Sequence, residues 1–311
     1  MTADSGNLRH LTGPAAALAA ASANPRRIAW IVLASMVVVA WLYLAVLSTA
    51  AGLGGTFGAL GPGMSVLDRL LSLSDAGSAA FAILASNGWL ATLIAVCATS
   101  PADWSAGDAA LHASMWLTMG VAMMLPTAAP MLRTYAEIAD TAAAKGRRIV
   151  SPLVLAAGYL TVWSAFALAA TLLEWTFGVT GALSGNGAML TGGLAVAVLL
   201  VAGMYQFTRQ KAACLVKCAH PFPFLFANWT EHVRGVYAIG IRQGLYCLAC
   251  CWALMLVMFA VGVMNIVWIA LLAAVMTAEK LIGRRWFSHL VGVVLLVWAA
   301  VVALGLPGGI V

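Results

Sequence analysis

Residues 28–53, IAWIVLASMVVVAWLYLAVLSTAAGL, carry no charged side chain. As a helix this run extends roughly 39 Å, more than the ~30 Å hydrocarbon core of a bilayer. Its apolar part is also longer than the core of a secretory signal, so it reads as an uncleaved first span. Predominantly apolar runs, some with a charge, recur at 79–99, 112–133, 150–175, 187–207, 238–260, 262–280 and 287–306. Hydrophobic residues make up 63% of the 311-residue chain and charged residues 8%, where a soluble domain carries roughly 25% charged. The expected fold is all-α, a polytopic transmembrane helical bundle of seven to eight spans. A membrane barrel would show alternating strands of about ten residues instead.

The net charge of +6 does not point to nucleic acid. The basic residues sit in short segments between apolar runs, where they set topology. Arg26 and Arg27, the Lys145–Arg148 cluster, Arg209 through Arg242, and Lys280 with Arg284 and Arg285 should share the cytoplasmic side. Residues 54–110 must then cross an even number of times, which favours seven full spans with 79–99 re-entrant or partly inserted. The resulting division is a cytoplasmic tail at 1–27, a first span at 28–53, an external loop region at 54–110, a helical core at 111–285, and a last span with the C-terminus at 286–311. Residues 54–78 read as an external loop with a short amphipathic helix, and 134–149 as a polar continuation of the third run. The expected location is a bacterial cytoplasmic (inner) membrane, with the lipid bilayer as first partner.

Five of the six cysteines fall between 214 and 251. Cys214, Cys218 and His220 lie in CLVKCAH. Cys247, Cys250 and Cys251 lie in CLACC. On a helix the latter three share a face, and the spacing continues to Met255 and Met258. Thiolate, imidazole and thioether suit copper(I), zinc or iron–sulfur centres and suit magnesium or calcium poorly. The competing reading is that Cys and Met are ordinary core fillers. Lys211 and Lys217 should favour thiolate at Cys214 and Cys218. Pro221 and Pro223 should end any helix there and begin an extended or turn segment. If the chain folds back through the 230s, the two cysteine groups can meet in one site. A second stripe, His112, Met115, Met119 and Met123, lines one face of the 112–133 run. Pro126 and Pro130 interrupt that helix.

Polar residues within apolar runs invite a functional reading. Glu279 and Lys280 fit an interfacial role at the inner surface, and Glu174 a solvated outer boundary. Gln243 and Asn265 fit helix cross-links, and Gln206 has no assigned role. No Walker, HExxH or GxSxG motif occurs, so no catalytic residue is assigned.

The segments MWLTMGVAMMLPTAAPM, GYLTVWSAF, AGMYQFTRQKAACLVKCAHPFPF, RQGLYCLACCWALM and FAVGVMNIVWIALLAAVMTAEK resemble a bacterial family of predicted metal-binding integral membrane proteins, domain of unknown function 2182. The resemblance spans about residues 110–285 and implies metal binding without fixing a biochemical role. Arg209 stands where that family often has Pro, and Ala249 where it often has Gly.

These readings converge on a membrane protein that binds a soft metal, copper(I) before zinc, for transport or for delivery to a membrane or periplasmic metalloenzyme or copper chaperone. The expected metal ligands are Cys214, Cys218, His220, Cys247, Cys250, Cys251, Met255, Met258, His112, Met115, Met119 and Met123. Two alternatives are a membrane thiol–disulfide oxidoreductase using CLACC, and a structural subunit or assembly factor of a membrane complex.

Overall fold

The computed structural model describes residues 25–53, 57–66, 88, 104–184, 189–190 and 192–305. Within them lie ten α-helices: α1 Pro25–Leu53, α2 Ala106–Thr127, α3 Ala129–Ala144, α4 Pro152–Val179, α5 Gly193–Tyr205, α6 Arg209–Ala219, α7 Pro221–Ala227, α8 Val233–Val261, α9 Ile266–Ile282 and α10 Arg285–Ala303. A two-residue antiparallel ladder, Leu183–Ser184 with Met189–Leu190, joins the region between α4 and α5. The chain is all-α in class. Apart from residue 88, the 79–99 run lies outside the described residues, as does most of the expected 54–78 loop.

Five helices (α1, α2, α4, α8 and α10) are long and apolar enough to cross a membrane. α5 and α9 are also apolar but shorter, at 13 and 17 residues. Local sequence explains the helix ends. Ser105 and Asp108 form a reciprocal capping box at the start of α2, which satisfies backbone donors no turn can reach. Ser151 caps α4 with Pro152 at its first position. Asn265 accepts from Trp268 N to start α9, and Gly283, with φ of 61°, closes it. The 112–133 run is not one helix. Pro126 sits inside the last turn of α2, and a new helix, α3, starts at Ala129 with Pro130 in its first turn. PFPF is likewise corrected. His220 breaks the chain between α6 and α7, and Pro221 then opens a short helix rather than an extended segment. Proline is tolerated at a first helical position because its missing N–H has no partner to lose there.

Glycines set the closest approach. A Cβ on Gly158 of α4 would lie 2.2 Å from the Tyr237 carbonyl, and one on Gly240 of α8 would lie 2.2 Å from the Leu155 carbonyl. Gly244 meets Val162 and the Tyr159 carbonyl in the same seam. Small residues let helix backbones touch in this way. The seam runs α4 and α8 in parallel. His112 of α2 meets Glu174 of α4, and Met124 meets Tyr159, so α2 is antiparallel to both.

These pairings gather every Lys and Arg among the described residues at one end, with α3, α6, α7, Thr127 and Lys280. The opposite end holds Asp108, Glu174, Asn265 and the segment 57–66. There Asn265, fully buried, donates to the Pro62 carbonyl at 3.0 Å, and Trp268 Nε1 donates to the same oxygen at 3.1 Å. Asn265 thus ties the 57–66 segment to the turn after α8.

Candidate metal centre

The site is built where α6 folds across the middle of α8. Thr208 caps α6, and its Lys211 is buried against Glu279 of α9 at 2.8 Å, with Gln206 as a second acceptor. Glu279 is therefore not interfacial: it is the counter-ion that anchors α6. After α7 the chain turns back, held by Trp229 packed at a tilt against Tyr135 and by Arg147 paired with Glu231 at 3.6 Å. This return brings α6 against the cysteine stretch of α8.

Cys250 Sγ lies 3.9 Å from Cys218 Sγ, 3.2 Å from Cys251 Sγ and 3.1 Å from the Cys247 carbonyl. Cys247 Sγ receives Lys280 Nζ at 3.0 Å and lies 2.9 Å from the Tyr159 hydroxyl. Lys280 also donates to Thr127 Oγ1, and Tyr159 to the Met124 carbonyl at 3.1 Å. The proline-disturbed end of α2 therefore supplies Thr127 and a backbone acceptor to the site. Lys280 does not reach for a surface: it is buried, with its ammonium against sulfur. A cavity of about 20 Å³ lies between Thr127, Met131, Tyr159, Cys218, Gln243, Cys247 and Lys280, room for about one water. The buried Gln243 Oε1, which lines it, has no hydrogen-bond partner.

All five described cysteines are free thiols. Cys214 is half-buried, and burial pushes its thiol up from the ordinary value, with Lys217 only partly opposing. The cationic neighbour is overruled because Lys217 is exposed and its ammonium lies 4.3 Å over the Tyr246 ring. Cys218 is held well above the ordinary thiol value, chiefly by the neighbouring Cys247 thiol, with Cys250 acting the other way. Among the described residues, no set of three or more His, Cys, Asp or Glu has the disposition of a ready-made metal site.

The other expected residues are distributed as follows. His220 is exposed at the α6–α7 break, beside Gly283. Met255 and Met258 are fully enclosed further along α8. Met115, Met119 and Met123 are equally enclosed on α2. His112 lies at the far end of α2, buried, with Nδ1 3.0 Å from Glu174 Oε1. Glu174 is not solvated: it has no exposed surface, and its second oxygen accepts from Trp116 Nε1 at 2.8 Å. Tyr159, Thr127, Met131 and Lys280 were not singled out as site residues by spacing. All four fall inside the quoted family-like segments, and Lys280 carries a charge in an apolar run, which reads as interfacial.

These features define an all-α bundle of membrane-length apolar helices around a buried cluster of cysteine sulfurs. The family model described as PpoB2, copper chaperone, matches residues 113–302, more than half of the chain, and the protein belongs to that copper-chaperone family. No curated protein and no solved structure is matched.

Proposed function

We propose that the protein is a multi-pass membrane copper chaperone that takes copper(I) at the sulfur cluster of Cys218, Cys247, Cys250 and Cys251 and gives it up to a copper-dependent metalloenzyme. The observation that carries this reading is the 3.9 Å approach of Cys218 to Cys250 across two helices. That separation is within reach of one ion bound by both sulfurs at about 2.3 Å each. The donors are soft, which suits a cuprous ion. An unpaired Gln243 oxygen and a water-sized cavity stand beside them. Lys280 supplies a positive charge next to Cys247, and a cuprous ion held by two thiolates is a monoanion that needs one in an enclosed setting. Cys214, one turn before Cys218 on α6, and the exposed His220 suit capture of the ion on its way to the cluster. The end rich in Lys and Arg faces the cytoplasm in this reading, following the positive-inside rule.

The experiment is elemental analysis of anaerobically purified protein loaded with copper(I), compared with Cys218→Ser and Cys247→Ser. Copper content should fall markedly in each variant while helicity is retained. Unchanged copper in both variants rules out the cluster as the copper site.

A further inference from the structure

We propose that a second copper(I) station lies at the opposite end of the bundle, with Nε2 of His112 as its nitrogen ligand and Glu174 as the residue that orients the ring. It rests on the reading of copper as cargo, and names a separate place where the cargo is held.

His112 is 5% exposed, and its Nε2 has no hydrogen-bond partner. Its Nδ1 faces Glu174 Oε1 at 3.0 Å. A neutral imidazole that donates from Nδ1 presents a lone pair at Nε2. A carboxylate behind one ring nitrogen is the usual support for a histidine that binds metal through the other. A purely structural histidine would leave a buried polar atom unpaired, which folded proteins seldom do.

Charge points the same way. Glu174 has no exposed surface, and an enclosed carboxylate calls for a positive charge nearby. No Lys or Arg among the described residues lies at this end, where Asp108 adds a second acid one turn before His112. Trp104 packs against the imidazole with ring centres 4.1 Å apart and the planes tilted by 33°, and its own Nε1 is also unpartnered. Met115 and Met119 follow His112 on the same face of α2, both almost fully enclosed. Imidazole with thioether is a donor set for a soft ion and not for a hard divalent one. Thr127, which touches Lys280 beside the cysteine cluster, lies fifteen residues further along α2, about 22 Å away. One ion cannot serve both places, so the stations are distinct.

The test titrates the full chain anaerobically with copper(I) against a competing copper(I) chelator. Wild type should hold two ions. The Cys218→Ser, Cys247→Ser, Cys250→Ser, Cys251→Ser variant should retain one, and His112→Gln added to it should remove that one. Glu174→Gln should weaken the retained ion by about 10–100-fold, as loss of a supporting partner does, and Met115→Leu should weaken it several-fold. X-ray absorption of this quadruple variant should show nitrogen with sulfur around copper. If the quadruple variant loses its helical circular-dichroism signal, His112→Gln in the otherwise wild-type chain decides: two ions should become one. The proposal is overturned if the folded quadruple variant binds no copper, or if His112→Gln leaves stoichiometry and nitrogen scattering unchanged. Retention of both ions after removal of the four clustered cysteines would instead sink the cysteine-cluster reading, and His112→Gln would still decide this one.

Discussion

Gly240→Ala tests how the helix seam holds the site. The new Cβ would lie 2.2 Å from the Leu155 carbonyl and 3.1 Å from Gly158 Cα. A carbon needs about 3.3 Å from such an oxygen, so α4 and α8 must part by about 1 Å at a place with no flexible side chain to yield. Tyr159 and Cys247 lie one to two turns further along the same two helices, in contact at 2.9 Å. The same displacement carries them to about 3.9 Å, at the outer edge of what a sulfur hydrogen bond spans. Overpacking of a tight core costs about 1–3 kcal/mol, and the weakened buried hydrogen bond up to about 1 kcal/mol more. The sum, about 1–4 kcal/mol, corresponds to a Tm lower by roughly 2–6 °C for a chain of this size. Thermal unfolding in detergent measures it, with copper(I) affinity measured in parallel by chelator competition. Gly193→Ala is the control, because its Cβ would meet nothing within 4 Å and alanine favours a helix by up to about 1 kcal/mol. A Gly240→Ala protein as stable as the Gly193→Ala control, with unaltered copper affinity, would refute the reasoning.

Lys211→Met leaves Glu279 enclosed without its ammonium, and should lower stability by about 3–5 kcal/mol; Lys211→Met with Glu279→Gln should recover much of that loss, read as Tm. Asn265→Ala removes both the cap of α9 and a bond to Pro62, and should cost about 1–3 kcal/mol, with new protease cleavage within 57–66. Cys214 should alkylate with N-ethylmaleimide more slowly than a free cysteine at pH 7, and the rate should climb with pH as its raised thiol ionises. The linkage has a definite sign: burial favours the neutral thiol, so its contribution to folded stability is complete below the unfolded thiol value and is lost as pH rises through the folded one. An alkylation rate at pH 7 equal to that of free cysteine would contradict the burial of Cys214.

The fold was legible wherever a run was long, apolar and uninterrupted. α1, α4 and α10 follow their runs closely because nothing competes with bilayer-length hydrophobicity. The break at Thr127–Ala129 was less legible, since Pro126 and Pro130 could have kinked one helix or divided two. Glu174, Glu279 and Lys280 were misplaced toward solvent because sequence shows a charge but not its partner. Those partners, His112, Lys211 and Cys247, lie 62, 68 and 33 positions away in the chain. The shared face of Cys247, Cys250 and Cys251 followed from helical spacing alone. The approach of Cys218 did not: it depends on the return through α7 and on the Lys211 anchor, neither of which has a local pattern. Tyr159 was invisible for the same reason, since its hydroxyl finds Cys247 only because glycines bring two backbones together.

That glycine seam has a mechanical consequence. Where main chains abut without intervening side chains, neither rod can slide or rotate without losing contact along its length. The sulfurs of Cys247, Cys250 and Cys251 and the phenol of Tyr159 therefore travel as one rigid block. Any accommodation to a guest ion must come from the opposing wall, where short α6 carries Cys218 and the flexible stem of Lys280 carries its ammonium.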